Sequence, residues 1–411
     1  GLPVFDSIRE CFDKVEKIIA DGRAAAIWAV DFGGVAEGIA KMSFGNRIGF
    51  EFAKKLSAAE LFQPCAGAFI IELIGNAENG EEIIGATTSK KTIAAPDYTL
   101  DLEDLIDTWE KKLEPVFPCR IKTPAEKPEI YTFNRSETLS ASIKEARPRV
   151  LIPVFPGTNC EYDTARAFER AGARAEIFVI KNLSAANIEE SIDTFTMLIK
   201  NSQIIMIPGG FSGGDEPDGS AKFITAFFRN PKIKDAVHNL LNNRDGLMLG
   251  ICNGFQALLK LGLIQNGEIT DMKSDSPTLT FNAIARHQSM LVNTRISSNK
   301  SPWIYGCKTG DIHTVAISHG EGRFVAPQSL IDKLASNGQI ATQYVDLNGE
   351  PTMDIHYNPN ASMSAIEGVT SPDGRVFGKM GHSERIGKNL YRNVPGEKDQ
   401  RIFQSGVDYF K

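Results

Sequence analysis

The residues of this chain that could do chemistry centre on Cys252, on a predicted turn between a strand and a helix. An apolar run at residues 246–249 precedes the turn, and a helical pattern at residues 255–260 follows it. Gly250 and Gly254 lie two residues to either side, as in a nucleophile elbow. A helix N-terminus there lowers a thiol pKa from roughly 8.5 to about 3.5–7.5. The alternative interpretation is a buried, unreactive cysteine.

A histidine late in the chain is the candidate base for this thiol. The apolar pair Val376-Phe377 ends a predicted strand, and His382 and Glu384 follow on the next loop. A histidine after one strand can face a cysteine after a neighbouring strand, and the carboxylate then fixes the imidazole tautomer. A lone surface histidine is usually only solvated. The elbow and the His-x-Glu spacing together favour a Cys-His-Glu triad over a structural thiol.

A glycine-rich loop at residues 208–215 follows another predicted strand. If the carbonyl attacked by Cys252 lies beside this loop, the N–H groups of Gly210 and Asn253 are natural donors to the oxyanion. Removing one such donor typically lowers a rate by about 10²–10³. The alternatives are a flexible glycine turn and a phosphate-binding loop. The loop lacks the lysine and Ser/Thr of Walker spacing, so the residues favour an oxyanion hole.

A second polar cluster, residues 317–323, contains Ser318 and His319 and follows a predicted strand. By itself, such a cluster is also typical of a polar hairpin turn. As part of a pocket, it would contact the amino and carboxyl ends of an amino-acid substrate. The remaining histidines have no metal-ligand spacing, so we interpret them as structural and predict no metal site. They are His238, His287, His313 and His356.

The regular part of the chain begins near residue 149. Strand patterns recur there with helical patterns between them, at residues 150–154, 175–180, 204–207 and 247–249. This alternation predicts an α/β fold with a doubly wound, mostly parallel sheet, whose sites form at the carboxyl ends of the strands. Residues 1–118 predict a smaller α+β domain, and the proline-rich residues 119–148 a linker. The second domain would be residues 149–411.

The composition is that of a globular, cytoplasmic protein. The chain has 411 residues, a net charge of −6 and six cysteines without C-x-x-C spacing. Scattered cysteines fit reduced cytoplasmic thiols better than a disulfide framework. No basic stripe indicates nucleic-acid binding, and no apolar run is long enough to span a membrane. The chain starts at Gly1 rather than methionine, as a fragment or a processed product would.

Four stretches of the second domain resemble the class I glutamine amidotransferases, and more narrowly the glutaminase domain of the phosphoribosylformylglycinamidine synthase family. They are Phe155-Pro156-Gly157-Thr158-Asn159-Cys160, Pro208-Gly209-Gly210-Phe211-Ser212, Gly250-Ile251-Cys252-Asn253-Gly254-Phe255-Gln256 and Ser318-His319-Gly320-Glu321-Gly322-Arg323. Residues 344–346 and 357–360 add to the resemblance, which covers roughly residues 150–390. The first and last of the four stretches distinguish this family from other amidotransferases.

The resemblance implies a flavodoxin-like fold and a ligase that takes nitrogen from glutamine. It assigns Cys252 as the nucleophile, with His382 and Glu384 completing the triad. The implied reaction is hydrolysis of glutamine to glutamate and ammonia through a thioester. We expect five residues to bind glutamine, of which Gln256 and His319 follow from the resemblance itself: Gly209, Phe211, Gln256, Ser318 and His319.

The resemblance also implies a larger reaction in de novo purine biosynthesis. The glutaminase half needs no cofactor. The full enzyme would use ATP, magnesium and the ammonia to convert formylglycinamide ribonucleotide into formylglycinamidine ribonucleotide. Residues 31–38 are similar to the C-terminal half-domain of the ATP-dependent synthetase part, and only one such half-domain is present. We therefore expect the rest of the synthetase, upstream of Gly1, as the partner of this chain.

Two loops depart from the family pattern. The family usually has Pro-His-Pro-Glu-Arg at the catalytic histidine, whereas Gly381 and Ser383 replace the two prolines here. We therefore expect this loop to be more flexible, with its chemistry unchanged because histidine, glutamate and arginine remain. Gly213 replaces the usual tyrosine of the glycine-rich loop. Two other functions stay open: a cysteine hydrolase or protease of related fold, and a docking fragment with a silent triad.

Overall fold

The computed structural model of the protein describes residues 4–78, 80–122, 127–137, 139–211, 221–391 and 394–411. The part of the glycine-rich loop that follows Phe211, including Ser212 and Gly213, lies outside these residues. The chain forms two compact units, one of residues 1–119 and 391–394 and one of residues 120–390 and 395–411. Within the described ranges, no helix is both long enough and apolar enough to cross a membrane.

The first unit combines helices with two small sheets. Its elements are α1 (Phe5–Ala20), β1 (Ala24–Ala29), α2 (Gly34–Phe44), β2 (Gly49–Phe52), α3 (Ala58–Phe62), β3 (Phe69–Leu73), β4 (Gly85–Thr88), β5 (Thr92–Ala95), β6 (Tyr98–Asp101) and α4 (Leu102–Glu110). Strands β1 and β3 pair antiparallel, and the other four strands form a sheet in the order β4-β2-β5-β6. Ile39, Phe50, Phe52, Ile70 and Ile93 lie in its core. Its assignment as a synthetase half-domain stays a prediction.

The second unit begins with the segment predicted as a linker. The N–H of Tyr131 donates to Oε1 of Gln343 at 3.1 Å, and Nε2 of Gln343 donates to the carbonyl of Glu129 at 2.9 Å. The N–H of Phe133 donates to the carbonyl of Ser297 at 2.9 Å. These bonds attach the segment to the second unit.

The second unit is built from alternating strands and helices, followed by a run of hairpins. Its strands are β7 (Arg149–Val154), β8 (Arg174–Val179), β9 (Ile204–Ile207), β10 (Leu247–Ile251), β11 (Thr278–Phe281), β12 (Gln288–Ile296), β13 (Ile312–His319), β14 (Glu321–Val325), β15 (Ile340–Val345), β16 (Ile366–Thr370) and β17 (Val376–Lys379). Its helices are α5 (Glu161–Arg170), α6 (Ala185–Lys200), α7 (Lys222–Phe228), α8 (Pro231–Asn243), α9 (Asn253–Lys260), α10 (Leu263–Asn266), α11 (Gln328–Ser336) and α12 (Ile402–Asp408).

A nine-stranded sheet organises this unit, in the order β13-β12-β15-β16-β17-β10-β9-β7-β8. Strands β8, β7, β9, β10 and β17 are parallel, as predicted from the alternation of strands and helices. Every residue of β9 and β10 is buried, as expected where helices cover both faces of a parallel sheet. The four predicted strands of this half are confirmed.

The prediction of a mostly parallel sheet holds for only four of the eight strand pairings in this sheet. Strands β17, β16, β15, β12 and β13 pair antiparallel. In this half, β16 and β17 follow each other with only residues 371–375 between them, too few for a crossover helix. Parallel pairing needs a crossover of a dozen or more residues, usually a helix, so such strands pair antiparallel. The sheet is therefore mixed.

Four strands of the parallel half deliver the candidate site. Strands β7, β9, β10 and β17 are neighbours in the sheet and run in one direction. Their carboxyl ends therefore lie at the same edge. The segments that leave these ends carry residues 156–160, residues 208–211, Cys252 and residues 380–385. The fold brings together four segments that are far apart in the sequence.

Candidate active site

Cys252 lies on a strained turn between β10 and α9. Its backbone has φ +54° and ψ −107°, a conformation that costs energy in a residue other than glycine. A β-carbon on Gly250 would lie 2.6 Å from the carbonyl oxygen of Gly254. One on Gly254 would lie 1.9 Å from the carbonyl oxygen of Ile207. Both positions therefore require glycine, and the predicted elbow is present.

His382 and Glu384 form a buried pair on the loop after β17. Nδ1 of His382 lies 2.6 Å from Oε1 of Glu384, and the N–H of His382 donates to the carbonyl of Ala316 at 2.8 Å. Nε2 of His382 is buried and has no partner among the described residues. Burial disfavours the imidazolium, but the Glu384 carboxylate and the two neighbouring thiols outweigh it, so the pKa of His382 is raised well above its usual value.

Gly209 lies next to both Cys252 and His382. A β-carbon on Gly209 would lie 2.7 Å from Cε1 of His382, 3.2 Å from Sγ of Cys160 and 3.5 Å from Cβ of Cys252. Any side chain at position 209 would therefore press against His382 and Cys252. The thiol of Cys252 also lies 3.8 Å from the carbonyl oxygen of Ser318. The structure thus brings the three predicted triad residues to one place, with a glycine loop beside them.

The predicted oxyanion donors also lie at this edge of the sheet. The loop at Gly210 pairs with the loop after β7, because the N–H of Asn159 donates to the carbonyl of Gly209 and the N–H of Phe211 to that of Gly157. In an antiparallel bridge of this kind, the N–H of Gly210 points away from the partner loop. The N–H of Asn253 belongs to the first turn of α9, where backbone donors have no partner within the helix.

His319 is buried beside the triad with one ring nitrogen unused. Nδ1 lies 3.1 Å from Oδ1 of Asn282, whose Nδ2 donates to the carbonyl of His319 at 2.8 Å. Nε2 is buried without a partner among the described residues. Burial, reinforced by the charges of His382 and His287, lowers the pKa of His319 to about 3. The imidazole is therefore neutral at physiological pH, and its Nε2 is a vacant hydrogen-bond acceptor.

The side chain of Gln256 is engaged within the protein. Nε2 of Gln256 donates to the carbonyl of Glu321 at 2.6 Å, and Nδ2 of Asn253 donates to Oε1 of Gln256 at 2.9 Å. The amide therefore ties the start of α9 to the segment after β13. Its predicted role in binding glutamine stays a prediction, as do the roles of the other site residues.

Two residues that were not predicted as site residues also lie there. His287 is exposed, with Nε2 2.9 Å from Oγ of Ser318 and its ring 5.9 Å from that of Phe211. Cys160 is buried, with Sγ 3.9 Å from Nδ1 of His382. The position of Cys160 in the first of the four family stretches was a usable signal. His287 gave none, because its place depends on strand register.

Cys160 forms, with His382 and Glu384, a group whose potential ligand atoms lie within 4.8 Å of one another. A guanidinium nitrogen of Arg385 donates to Sγ of Cys160 at 3.2 Å, and Sγ lies 3.0 Å from Oδ1 of Asn159. A fixed cation on the thiol disfavours a metal ion at the same place, because like charges repel at short range. The contacts therefore suit an acid–base pair of His382 and Glu384 better than a metal centre.

Residues 147–410 match the sequence family described as the CobB/CobQ-like glutamine amidotransferase domain. The chain belongs to this family. The match includes all strands of the nine-stranded sheet and every residue of the candidate site. The amidotransferase fold predicted from the sequence is thereby confirmed for the second unit, whereas its flavodoxin-like detail is not tested.

Relatives of this chain carry a common name. Phosphoribosylformylglycinamidine synthase subunit PurQ of Methanococcus maripaludis is 33% identical over 281 residues, which are 64% of this chain and 97% of the relative. The subunit of the same name from Aquifex aeolicus is 31% identical over 245 residues, covering 59% of this chain and 93% of the relative. Among solved structures, PurLQS from Thermotoga maritima is 26% identical, with a TM-score of 0.47, covering 64% of this chain and 100% of that one.

Proposed function

We propose that this chain is the glutaminase part of phosphoribosylformylglycinamidine synthase and hydrolyses glutamine to glutamate and ammonia. The observation that carries the proposal is the elbow thiol of Cys252 beside the buried His382–Glu384 pair. The names of the relatives support the choice of reaction, because almost the whole length of each relative matches this chain.

The first half of the reaction forms a thioester. The Cys252 thiolate attacks the side-chain amide carbon of glutamine, so that a carbon–sulfur bond forms and the carbonyl electron pair moves to oxygen. Backbone N–H groups of Gly210 and Asn253 donate to this oxyanion. The His382 imidazolium gives its proton to the amide nitrogen, the carbon–nitrogen bond breaks, and ammonia leaves. Glu384 holds the imidazole and stabilises its charge.

The second half of the reaction regenerates the thiol. Neutral His382 takes a proton from a water molecule, and the resulting hydroxide adds to the thioester carbon. The carbon–sulfur bond then breaks, and glutamate leaves as the thiolate and imidazolium re-form. The strained elbow holds Cys252 at the edge of the sheet where the four loops meet.

Residues around the thiol would hold the rest of the substrate. Ser318 and Phe211 stand beside His287, and Gly209 has no side chain that would crowd Cys252 and His382. The vacant Nε2 of His319 accepts an N–H of the bound glutamine. Gln256 acts by fixing α9 against the carbonyl of Glu321.

We further propose the context in which the ammonia is used. In the assembled synthase, the ATP-dependent half would consume it, so the remaining synthetase domains are the partner of this chain. Residues 1–118 would be a half-domain of that synthetase, and residues 149–411 the amidotransferase domain. ATP and magnesium would act in the synthetase half, and we derive no glutaminase step through either. The cytoplasm is the proposed compartment.

Release of glutamate from glutamine tests the proposed activity. We expect release by the purified chain and a loss of at least about 10³-fold in the Cys252→Ala variant, because the attacking atom is gone. The matched control is Cys307→Ala, since burial raises the pKa of the Cys307 thiol to about 12 and makes it unreactive. Equal release by the wild-type and Cys252→Ala proteins would contradict the proposal.

A glutamine-analogue electrophile separates this function from a silent docking fragment. We expect the reagent to label Cys252 faster than the exposed thiol of Cys65, as shown by peptide mass spectrometry. A silent triad would label no faster than Cys65. A cysteine protease would cleave peptides and show no preference for the glutamine analogue over a simple alkylating agent.

A further inference from the structure

A fully buried ion pair contacts the loop that carries His382. Nζ of Lys379 is 3.2 Å from Oε1 of Glu367, and neither side chain is exposed to solvent. Lysine and glutamate are almost never fully buried, because taking both charges out of water costs more than their attraction returns unless other bonds are satisfied. The pair therefore calls for an explanation other than stability.

The bonds of this pair converge on the two residues that flank His382. Nζ of Lys379 donates to the carbonyl of Gly381 at 2.9 Å and to Oγ of Ser383 at 3.0 Å. The N–H of Gly381 donates to Oε1 of Glu367 at 2.6 Å. The peptide groups of Gly381 and the hydroxyl of Ser383 are thus held on either side of the histidine.

Further buried residues hold the pair and the serine in place. The hydroxyl of Thr342 donates to Oε2 of Glu367 at 2.5 Å. The hydroxyl of Ser383 donates to Oε1 of Gln400 at 2.6 Å, and Nε2 of Gln400 donates to Oγ1 of Thr294 at 3.0 Å. All of these side chains are buried. A fully satisfied polar network of this kind fixes one geometry rather than several.

Glycine at position 381 is a requirement of this network. A β-carbon there would lie 2.9 Å from both Oε1 of Glu367 and Nζ of Lys379, and 2.8 Å from a methyl group of Val315. The backbone N–H of this residue is itself one of the donors. The ion pair and Gly381 therefore depend on each other. Contacts with the charged groups of Lys379 and Glu367 hold the loop that carries His382.

We propose that Lys379 and Glu367, together with Ser383 and Gln400, position His382 for proton transfer to and from the substrate. This inference rests on the proposed glutaminase function. Hydrogen bonds from the pair fix the residues before and after the histidine, and these bonds therefore set the orientation of the imidazole beside Cys252. Displacing a catalytic group by about 1 Å can lower a rate about 10²-fold.

The Ser383→Ala variant removes one acceptor of Lys379 and the donor to Gln400. We expect kcat for glutamate release to fall about tenfold, with KM unchanged within about twofold, because the transition state loses an aligned acid while substrate contacts stay. Alkylation of Cys252 by iodoacetamide, followed by peptide mass spectrometry, should slow by a similar factor. This second measurement needs no turnover of glutamine.

The matched control is Ser301→Ala. Ser301 is equally buried, donates to the carbonyl of Gly374 at 2.6 Å and accepts from the N–H of Trp303 at 3.2 Å. Its removal should lower thermal stability like that of Ser383 but leave kcat and the alkylation rate of Cys252 unchanged. Equal kcat values and equal alkylation rates in the two alanine variants would overturn the proposal.

A second variant replaces the pair as a unit, Lys379→Met with Glu367→Met. Apolar residues of similar volume often replace a buried ion pair without loss of stability, whereas removing one partner strands a charge. We expect the double variant to stay folded, with kcat lowered about 10²-fold and KM little changed. A folded double variant with wild-type kcat would overturn the positioning role.

The two proposals fail in different ways. If the wild-type chain releases no glutamate in a Cys252-dependent manner, the proposed function fails. The alkylation rates of Cys252 in Ser383→Ala, Ser301→Ala and the double variant still decide whether the network positions His382. If the wild type is active and none of the variants changes kcat or alkylation, the glutaminase function stands and the positioning role is wrong.

Discussion

Two segments beside the nucleophile carry one buried histidine each, and the two histidines have opposite electrostatics. His319, at the end of β13, is 1% exposed, and His382, after β17, is 2% exposed. Burial lowers the pKa of His319 to about 3, whereas the pKa of His382 is raised well above its usual value. The partner of Nδ1 differs: the neutral amide of Asn282 for His319, the carboxylate of Glu384 for His382.

This contrast shows that burial alone does not decide what a histidine does. Desolvation opposes the charged ring at both places, and a carboxylate at 2.6 Å reverses the outcome at one of them. A ring held as imidazolium can donate a proton to a leaving group, whereas a ring held neutral can only accept or donate a hydrogen bond. In the proposed mechanism, the segment of His382 therefore carries proton transfer and the segment of His319 carries substrate binding.

The largest effect is expected from replacing each of the two histidines by glutamine, which distinguishes proton transfer by His382 from substrate binding by His319. His382→Gln should lower kcat for glutamate release by at least about 10³-fold, because the proposed mechanism takes the proton for the leaving nitrogen from this imidazolium. His319→Gln should raise KM about tenfold, the equivalent of one lost hydrogen bond, and leave kcat within about threefold. Steady-state kinetics of both variants make the measurement.

Circular dichroism and thermal unfolding serve as the controls for these two variants. A comparable drop of kcat in His319→Gln would break the contrast, since it would make His319 a second acid–base group. A drop of less than about tenfold in His382→Gln would remove His382 from the proposed mechanism.

The next effect concerns pH. Burial lowers the pKa of His382, and the Glu384 carboxylate is the strongest of the effects that raise it, so Glu384→Gln leaves only the two thiols to oppose burial and the pKa falls. The wild-type imidazolium survives to higher pH than an ordinary histidine and is lost as pH rises through its raised pKa. In the variant, the basic limb of kcat/KM against pH should move to lower pH by more than about one unit, with kcat/KM at pH 8 lowered about 10²-fold.

The exposed pair of Glu190 and Lys181 supplies the control for this profile. Glu190→Gln removes a carboxylate of the same charge from the surface and should leave the pH profile of kcat/KM unchanged. A Glu384→Gln variant with an unshifted basic limb would show that the carboxylate does not control His382.

Local spacing predicted the elements on which the chemistry depends. The apolar run, the thiol between two glycines and the helix after it are contiguous, so the sequence alone indicates the elbow at Cys252. His382 and Glu384 are two residues apart and follow a strand, which suffices to pair them. The parallel half of the sheet follows from the alternation of strands and helices for the same reason, because each βα unit is local.

What the sequence did not indicate depends on strand register and on contacts between distant segments. His287 lies beside Ser318 because β12 and β13 pair with one particular register, which no single-residue pattern specifies. Lys379 and Glu367 stand on neighbouring strands, and the pairing of Gly368 with Lys379 is what brings their side chains together. A lysine and a glutamate in two strand patterns otherwise predict surface positions.

A smaller effect is expected when the Nδ1 partner of His319 is changed to a carboxylate, as His382 already has. Asn282→Asp places a carboxylate at Nδ1 of His319, where the amide oxygen now lies at 3.1 Å. We expect the pKa of His319 to rise from about 3 by roughly one to two units, because an opposite charge at hydrogen-bond distance favours the imidazolium. Titration of the histidine ring protons by NMR, with His319→Gln to assign the signal, measures the change. An unshifted pKa would mean that desolvation of the new carboxylate cancels its attraction.

The smallest effect is on stability in acid. The unfolded chain protonates His319 near pH 6.5, but the folded chain does so only near pH 3, so the unfolded state binds more protons between these values. The stability that depends on neutral His319 is therefore complete above about pH 6.5 and is lost as pH falls toward 3. At pH 5 the loss amounts to about 2 kcal/mol relative to neutral pH.

His319→Gln, which does not titrate, should lose about that much less stability between pH 7 and pH 5 in denaturant unfolding. Equal losses in the wild type and His319→Gln would mean that His319 takes up its proton in the folded state, as His382 does, and the contrast between the two segments would then disappear.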